Sequence, residues 1–113
     1  MWDFQKLEVY QKSKNFCIQI TATLSEKSFY RVTNDQLRRA SFSIMLNIAE
    51  VTSRFSNKDR KNFFVVARGS AFECEAIMEY LVETQEIDRN TFADYEIKLD
   101  EISRMLFGLI RSL

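Results

Sequence analysis

"RRASFSIMLNIAE", residues 38–50, decides how this chain folds. Two arginines lead into an apolar run that carries Asn47 and ends on Glu50. A surface helix holds more charge than this, and a plain core helix holds no asparagine. On a helical wheel, Leu37, Ala40, Ile44, Ile48, Val51 and Phe55 share one sector about 80° wide, the face for a bundle core. Arg39, Ser43, Asn47, Glu50 and Arg54 share a second sector of similar width and form a continuous polar stripe. Phe42, Met45, Leu46 and Ala49 occupy the remaining side. The helix therefore has two apolar faces separated by one polar strip. A four-helix bundle needs only one of them. The second is either a wide core face or a surface for another chain, and contiguous exposed apolar area on a small protein usually marks a partner.

The polar stripe has two readings. Glu50 and Arg54 are four apart in the favourable order for an ion pair, and Asn47 can bond across to another helix. Buried polar groups of this kind can set the register of an assembly. A solvated stripe with weak ion pairs is the other reading. The stretch "VARGSAFECE", residues 66–75, adds a glycine inside a helix, which costs about 1 kcal/mol relative to alanine. Gly69, Ser70 and Ala71 are small in a row. They suit close packing against the second helix near Asn47, with a hinge at Gly69 as the alternative.

Outward from these stretches the chain reads as four helices. The first runs from about Asp3 to Leu24, with Leu7, Tyr10, Cys17 and Leu24 on one stripe and Val9, Phe16 and Ile20 beside it. "SEKSFYRV", residues 25–32, reads as a loop. Thr33 and Gln36 resemble a capping box that starts the second helix near Asn34, and that helix lasts to about Arg54. Ser56 followed by Asp59 marks the start of the third helix, which continues to about Glu86 on the stripe Phe63, Ala67, Ala71, Cys74, Met78, Leu81. Asp88 or Asn90 caps the fourth. Its stripe, Phe92, Tyr95, Leu99, Ile102, Leu106, Leu109, Leu113, alternates spacings of three and four, as in helices packed nearly parallel or antiparallel. Short connections favour an up-down-up-down bundle in a single domain over residues 1–113.

Composition supports an all-α chain. Its 113 residues include no Pro and only two Gly, so the strongest turn signals are missing. No apolar stretch is long enough to span a bilayer. The opening segment has no basic head followed by an apolar block, so a cytoplasmic protein is expected. Cys17 and Cys74 fit no metal or redox spacing and read as buried thiols. There is no His, which removes histidine acid–base chemistry, Ser-His triads and most zinc sites. Two glycines cannot build a phosphate loop or a dinucleotide fingerprint. Glu75, Glu79 and Glu83, four apart, are a weak metal motif without a histidine partner. A non-enzyme without cofactor or metal is expected.

Net charge is zero but unevenly spread. Residues 27–68 hold nine basic and three acidic groups, whereas residues 69–102 hold ten acidic and two basic ones. Such asymmetry marks a polar partner surface, or attraction between neighbouring helices or subunits. The candidates for a nucleic-acid surface are Arg38, Arg39, Arg54, Lys58, Arg60, Lys61 and Arg68. Lys58, Arg60 and Lys61 cluster at the tip between the second and third helices, near Phe55, Phe63 and Phe64. Basic residues interleaved with aromatics can hold phosphates and stack on bases. Core phenylalanines beside solvated charges are the competing reading.

Two stretches also carry a resemblance. Gln36, Leu37, Arg38, Arg39 and Ala40, then Ser43 and Ile44, then Asn47, Ile48, Ala49 and Glu50 are followed by Phe63, Ala67, Gly69, Ser70 and Glu73. This pattern resembles the four-helix-bundle family of 23S rRNA intervening-sequence proteins, itself similar to the accessory variability determinant of diversity-generating retroelements. "FQKLEVYQKS", residues 4–13, fits the start of the same pattern. The resemblance implies a bundle that assembles as a homopentameric barrel, without enzymatic activity. It implies a role around structured RNA or DNA, or around a reverse-transcriptase-like partner. Val51 stands where the family usually has Gly, so the second helix is expected to continue there. The family's first-loop Pro is missing.

The expectation is thus a non-enzymatic, oligomeric, membrane-free protein acting through binding, as a scaffold or accessory factor. Its interface or inter-helix polar network would draw on Arg39, Phe42, Ser43, Met45, Leu46, Asn47, Glu50, Arg54, Ser70 and Glu73. The alternative is an RNA- or DNA-binding module using the basic tip.

Overall fold

Apolar residues three and four apart build four long α-helices in the computed structural model, which describes residues 1–26 and 31–113. They are α1 (Glu8–Glu26), α2 (Arg31–Val51), α3 (Asn57–Glu83) and α4 (Arg89–Ser112). Each packs against its neighbours in chain order, and α4 closes back on α1. The result is a four-helix bundle measuring 44 × 25 × 21 Å.

Its core is the set of stripes read from spacing. Val9, Phe16, Ile20 and Leu24 of α1 meet Leu37, Ala40, Ile44 and Ile48 of α2. Ala67, Ala71, Cys74, Met78 and Leu81 of α3, with Tyr95, Leu99, Ile102 and Leu106 of α4, complete it. Phe64 is the buried phenylalanine at the start of α3, and Phe63 packs partly buried against the core. Both cysteines are buried free thiols. Burial pushes the Cys74 thiol up, with Glu73 adding to the shift, so it stays protonated and inert.

Helix ends show where local chemistry overrides periodicity. Ser56 caps α3 by accepting the amide of Asp59 at 3.1 Å, and Asp88 caps α4 by accepting the amide of Thr91 at 2.7 Å. The first helix is shorter than expected. Asp3–Lys6 form a 3-10 turn, Leu7 is extended, and α1 starts at Glu8. Gln5 stabilises that break by accepting the Trp2 amide at 2.8 Å through its side chain. Phe4 then lies edge-on to Tyr10.

The second helix is already formed at Arg31. Thr33 is therefore inside it rather than at its cap, and Asn34 accepts the Arg38 Nε at 2.7 Å. Of the expected 25–32 loop, residues 27–30 lie outside the described residues, whereas Ser25 and Glu26 are helical. At the other end α2 stops at Val51, three residues before Arg54, despite having Val where the related pattern has Gly. The Ser53 and Arg54 amides turn back onto Glu50 and Val51 carbonyls, and the Ser53 hydroxyl donates to the Glu50 carbonyl at 2.7 Å. Because the helix ends there, Phe55 leaves the core sector and is 98% exposed.

The third helix ends at Glu83 rather than Glu86. The Glu86 amide reaches the Leu81 carbonyl at 2.8 Å and the Gln85 amide reaches Val82 at 3.0 Å. This is a Schellman stop with Gln85, at φ 64°, in the place glycine usually takes. Its missing glycine is why the stop was invisible in the sequence.

Candidate functional site

The polar residues of α2 form a hydrogen-bond relay into α3. Asn47 Nδ2 donates to the Ser43 carbonyl at 2.9 Å and to Ser43 Oγ at 3.0 Å. Ser43 and Ser70 hydroxyls meet at 2.8 Å, and Ser70 donates to the Val66 carbonyl at 3.2 Å. A hydroxyl has one proton to give, so the order runs Asn47 to Ser43 to Ser70 to Val66. Asn47 therefore bonds back along its own helix, and Ser43 makes the crossing that was expected of Asn47. Glu50 pairs with Arg54 at 2.8 Å, as its spacing predicted. A second crossing joins α2 to α1 through Ser41 and Cys17, 3.7 Å apart. Ser41 is fully buried and was not singled out from sequence, where it is one serine in a run of small and apolar residues.

Gly69 does not have the packing role expected of it. A Cβ built there meets nothing within 4 Å, so no neighbour in the chain requires glycine. Ser70 is the residue of that trio that hydrogen-bonds to α2.

Beside the relay lies the second apolar face of α2. Phe42 and Leu46 are each 48% exposed. With Arg38, Arg39, Ser43 and Asn47 they line a shallow groove. Arg39 is exposed, while Arg38 donates to Asn34 on its own helix and to Ser25 on α1. Met45 is half-buried, on the side of α2 where Ser41 meets α1. Glu73 is exposed on α3.

A larger groove, about 610 Å³, runs between α3 and α4. Phe72 and Ile97 expose 55% and 68% of their surface there. Glu75, Glu79, Glu96 and Asp100 line it. Asp100 pairs with Arg104 at 2.9 Å; the three glutamates have no cation partner among the described residues. Partial burial and the facing Glu96 push the Glu75 carboxyl up to about 7, with Glu79 and Asp100 adding to the shift. Glu83 does not join this cluster. Among the described residues no group of three or more ligating side chains is placed to hold a metal ion. This groove was not read from sequence, although the spacing of Val65, Gly69, Phe72 and Ala76 on a wheel would have shown an apolar outer stripe on α3.

The basic residues do not form one patch. Arg54, Lys58, Arg60 and Lys61 gather at the α2–α3 tip. There Arg60 donates to the Arg54 carbonyl at 2.9 Å, and Arg54 lies over the Phe63 ring at 4.5 Å. Lys58 and Lys61 are exposed and make no ion pair among the described residues. Arg38 and Arg39 sit about 15 residues back along α2, roughly 20 Å from Arg54 at helical rise. Arg68 lies between the rings of Phe72 and Phe107, at 4.7 and 5.3 Å. Of the tip phenylalanines only Phe55 is free to stack, since Phe64 is buried.

A model of the family described as 23S rRNA-intervening sequence protein matches residues 5–108. The chain belongs to that family. A solved structure of a Bacteroides thetaiotaomicron protein with unknown function from the S23 ribosomal protein family is 29% identical, with a TM-score of 0.84. The match covers 90% of this chain and 97% of that one. No curated protein matches. In this 23S rRNA-intervening sequence family member, no helix among the described residues is long and apolar enough to cross a membrane.

Proposed function

We propose that this family member is a non-enzymatic, oligomeric helical-bundle protein that acts through binding, as a scaffold or accessory factor. Its first partner is another copy of itself, in a homopentameric barrel. The observation that carries this reading is the outer face of α2. Phe42 and Leu46 stay half-exposed although the bundle core is complete without them. Leaving half of two large apolar side chains in water forgoes roughly 0.7–1.5 kcal/mol each of available burial, and a second chain recovers it. The relay from Asn47 to Ser70 holds α2 and α3 in one register, so that face is presented on a fixed frame. Light scattering after size exclusion tests the reading: an assembly of several chains is expected, and a single 13.4 kDa species at every concentration would sink it.

A second reading rests on Phe55. It is 98% exposed beside Lys58 and Lys61, so the tip offers one stacking ring and two uncommitted cations to single-stranded RNA or DNA. Binding should weaken with salt, and the triple change Lys58→Ala, Arg60→Ala, Lys61→Ala should flatten that salt dependence. Absence of binding to a mixed-sequence RNA at low salt removes this reading. A reverse-transcriptase-like protein is the further class of partner consistent with the family resemblance. The assembly would then carry the tip in several copies.

A further inference from the structure

We propose that the copies join head to tail, the arginine-led outer face of α2 on one copy seating in the carboxylate-lined α3–α4 groove of the next. This rests on the self-association reading above and names the two surfaces that meet.

Each surface has what the other lacks. The α2 face presents two apolar side chains, Phe42 and Leu46, with Arg39 one turn before them. No carboxylate of the described residues pairs with Arg39 or with Arg38, whose partners are Asn34 and Ser25. The groove presents two apolar side chains, Phe72 and Ile97, among Glu75, Glu79 and Glu96. None of those glutamates meets a cation within the described chain. Like surfaces repel: α2 on α2 would bring arginines together, and groove on groove would crowd carboxylates together. A two-fold contact that lays each surface on its own copy is therefore the costly one here. Where the two different surfaces do not meet reciprocally in one pair, the contact repeats. It closes into a ring or runs on as a filament, according to the angle between them.

The groove also makes assembly pH-dependent. In the isolated chain Glu75 faces Glu96 and Asp100 of α4 and its own neighbour Glu79, and it keeps its proton to about pH 7. A guanidinium arriving between these carboxylates favours their charged forms. Docking then releases the Glu75 proton, so the assembly strengthens as pH rises towards about 7 and levels off above it.

The test uses the full chain, its native mass read by light scattering over a concentration series. Arg39→Glu and Glu79→Arg each change an exposed side chain, and helix content by circular dichroism checks that both fold. Each alone is expected to raise the concentration at half-assembly about tenfold or more. The combined variant, Arg39→Glu with Glu79→Arg, is expected to recover most of that loss, because the swapped charges meet again between copies. Overturning results are distinct. If the wild-type chain assembles and Leu46→Ser breaks it while Glu79→Arg and Phe72→Ser leave the mass unchanged, the α2 face meets some other surface. Head-to-tail seating in this groove then fails, and self-association stands. If the charge swap fails to recover what the single changes lose, the pairing fails on its own terms. If the wild-type chain is a single 13.4 kDa species throughout, both readings fall.

Discussion

Ile44 and Ile48 on one side of α2 are wholly buried, whereas Phe42 and Leu46 on the other side each keep 48% of their surface in water. The four side chains are similar in apolarity and lie within two turns of one helix. What separates them is position on the wheel: the first pair lies in the bundle core, and the second pair lies outside it. Folding of the single chain thus accounts for the inner stripe of α2, and on the self-association proposed above a second copy would account for Phe42 and Leu46. The same contrast separates Ala71 from Gly69 on α3. Ala71 is buried in the core, whereas an alanine at Gly69 would touch nothing.

The contrast can be broken most sharply at the inner face. Ile48→Ala should destabilise the bundle by about 2–5 kcal/mol, because a fully buried side chain leaves a cavity. Denaturant titration measures it, and a cost below 1 kcal/mol would mean the core is looser than its packing. Ser43→Ala should cost about 1 kcal/mol by cutting the relay between α2 and α3. Asn47 would keep its bond to the backbone carbonyl, so the loss stays modest.

At the outer face the sign reverses. Gly69→Ala should stabilise the dilute, unassembled chain by about 1 kcal/mol, since alanine favours helix and its methyl group meets no neighbour. Thermal melting at low concentration checks it. A loss of stability would place an unrecognised contact at that position.

At the acidic groove the effect depends on pH. The folded chain holds the Glu75 proton from its ordinary 4.5 up to about 7, over a range where the unfolded chain has released it. The folded state binds more protons there, so the stability of the unassembled chain should fall as pH rises from about 4.5 to 7. Glu75→Gln should flatten this slope. A slope that persists in that variant would assign it to other groups.

Much of the fold was legible because core stripes need only spacing. Leu37, Ile44 and Ile48, or Tyr95, Leu99, Ile102 and Leu106, repeat at helical intervals whatever lies around them. Caps at Ser56 and Asp88 were legible because a short polar side chain beside an apolar run has few other uses. The ends of α2 and α3 were not. At Val51 and Gln85 the chain stops without the expected Gly or Pro, through carbonyls satisfied by the turn that follows. The relay was half legible. Sequence pointed to Ser43, Asn47 and Ser70, but which of them crosses between helices depends on rotamers that spacing does not encode. Of the basic residues the tip cluster Lys58, Arg60 and Lys61 was legible, because those residues are near in sequence; the separation of Arg38, Arg39 and Arg68 from it exists only in space. The α3–α4 groove joins residues more than 20 positions apart, so its carboxylates read in sequence as separate solvated faces.

The most direct test is the native mass of the full chain, by light scattering after size exclusion at neutral pH, beside Leu46→Ser. A wild-type assembly of about five chains, and a folded single chain of 13.4 kDa for the variant, is the expected pair of results. A wild-type protein that stays a single chain at all concentrations would contradict the claim that the outer face of α2 is a self-association surface.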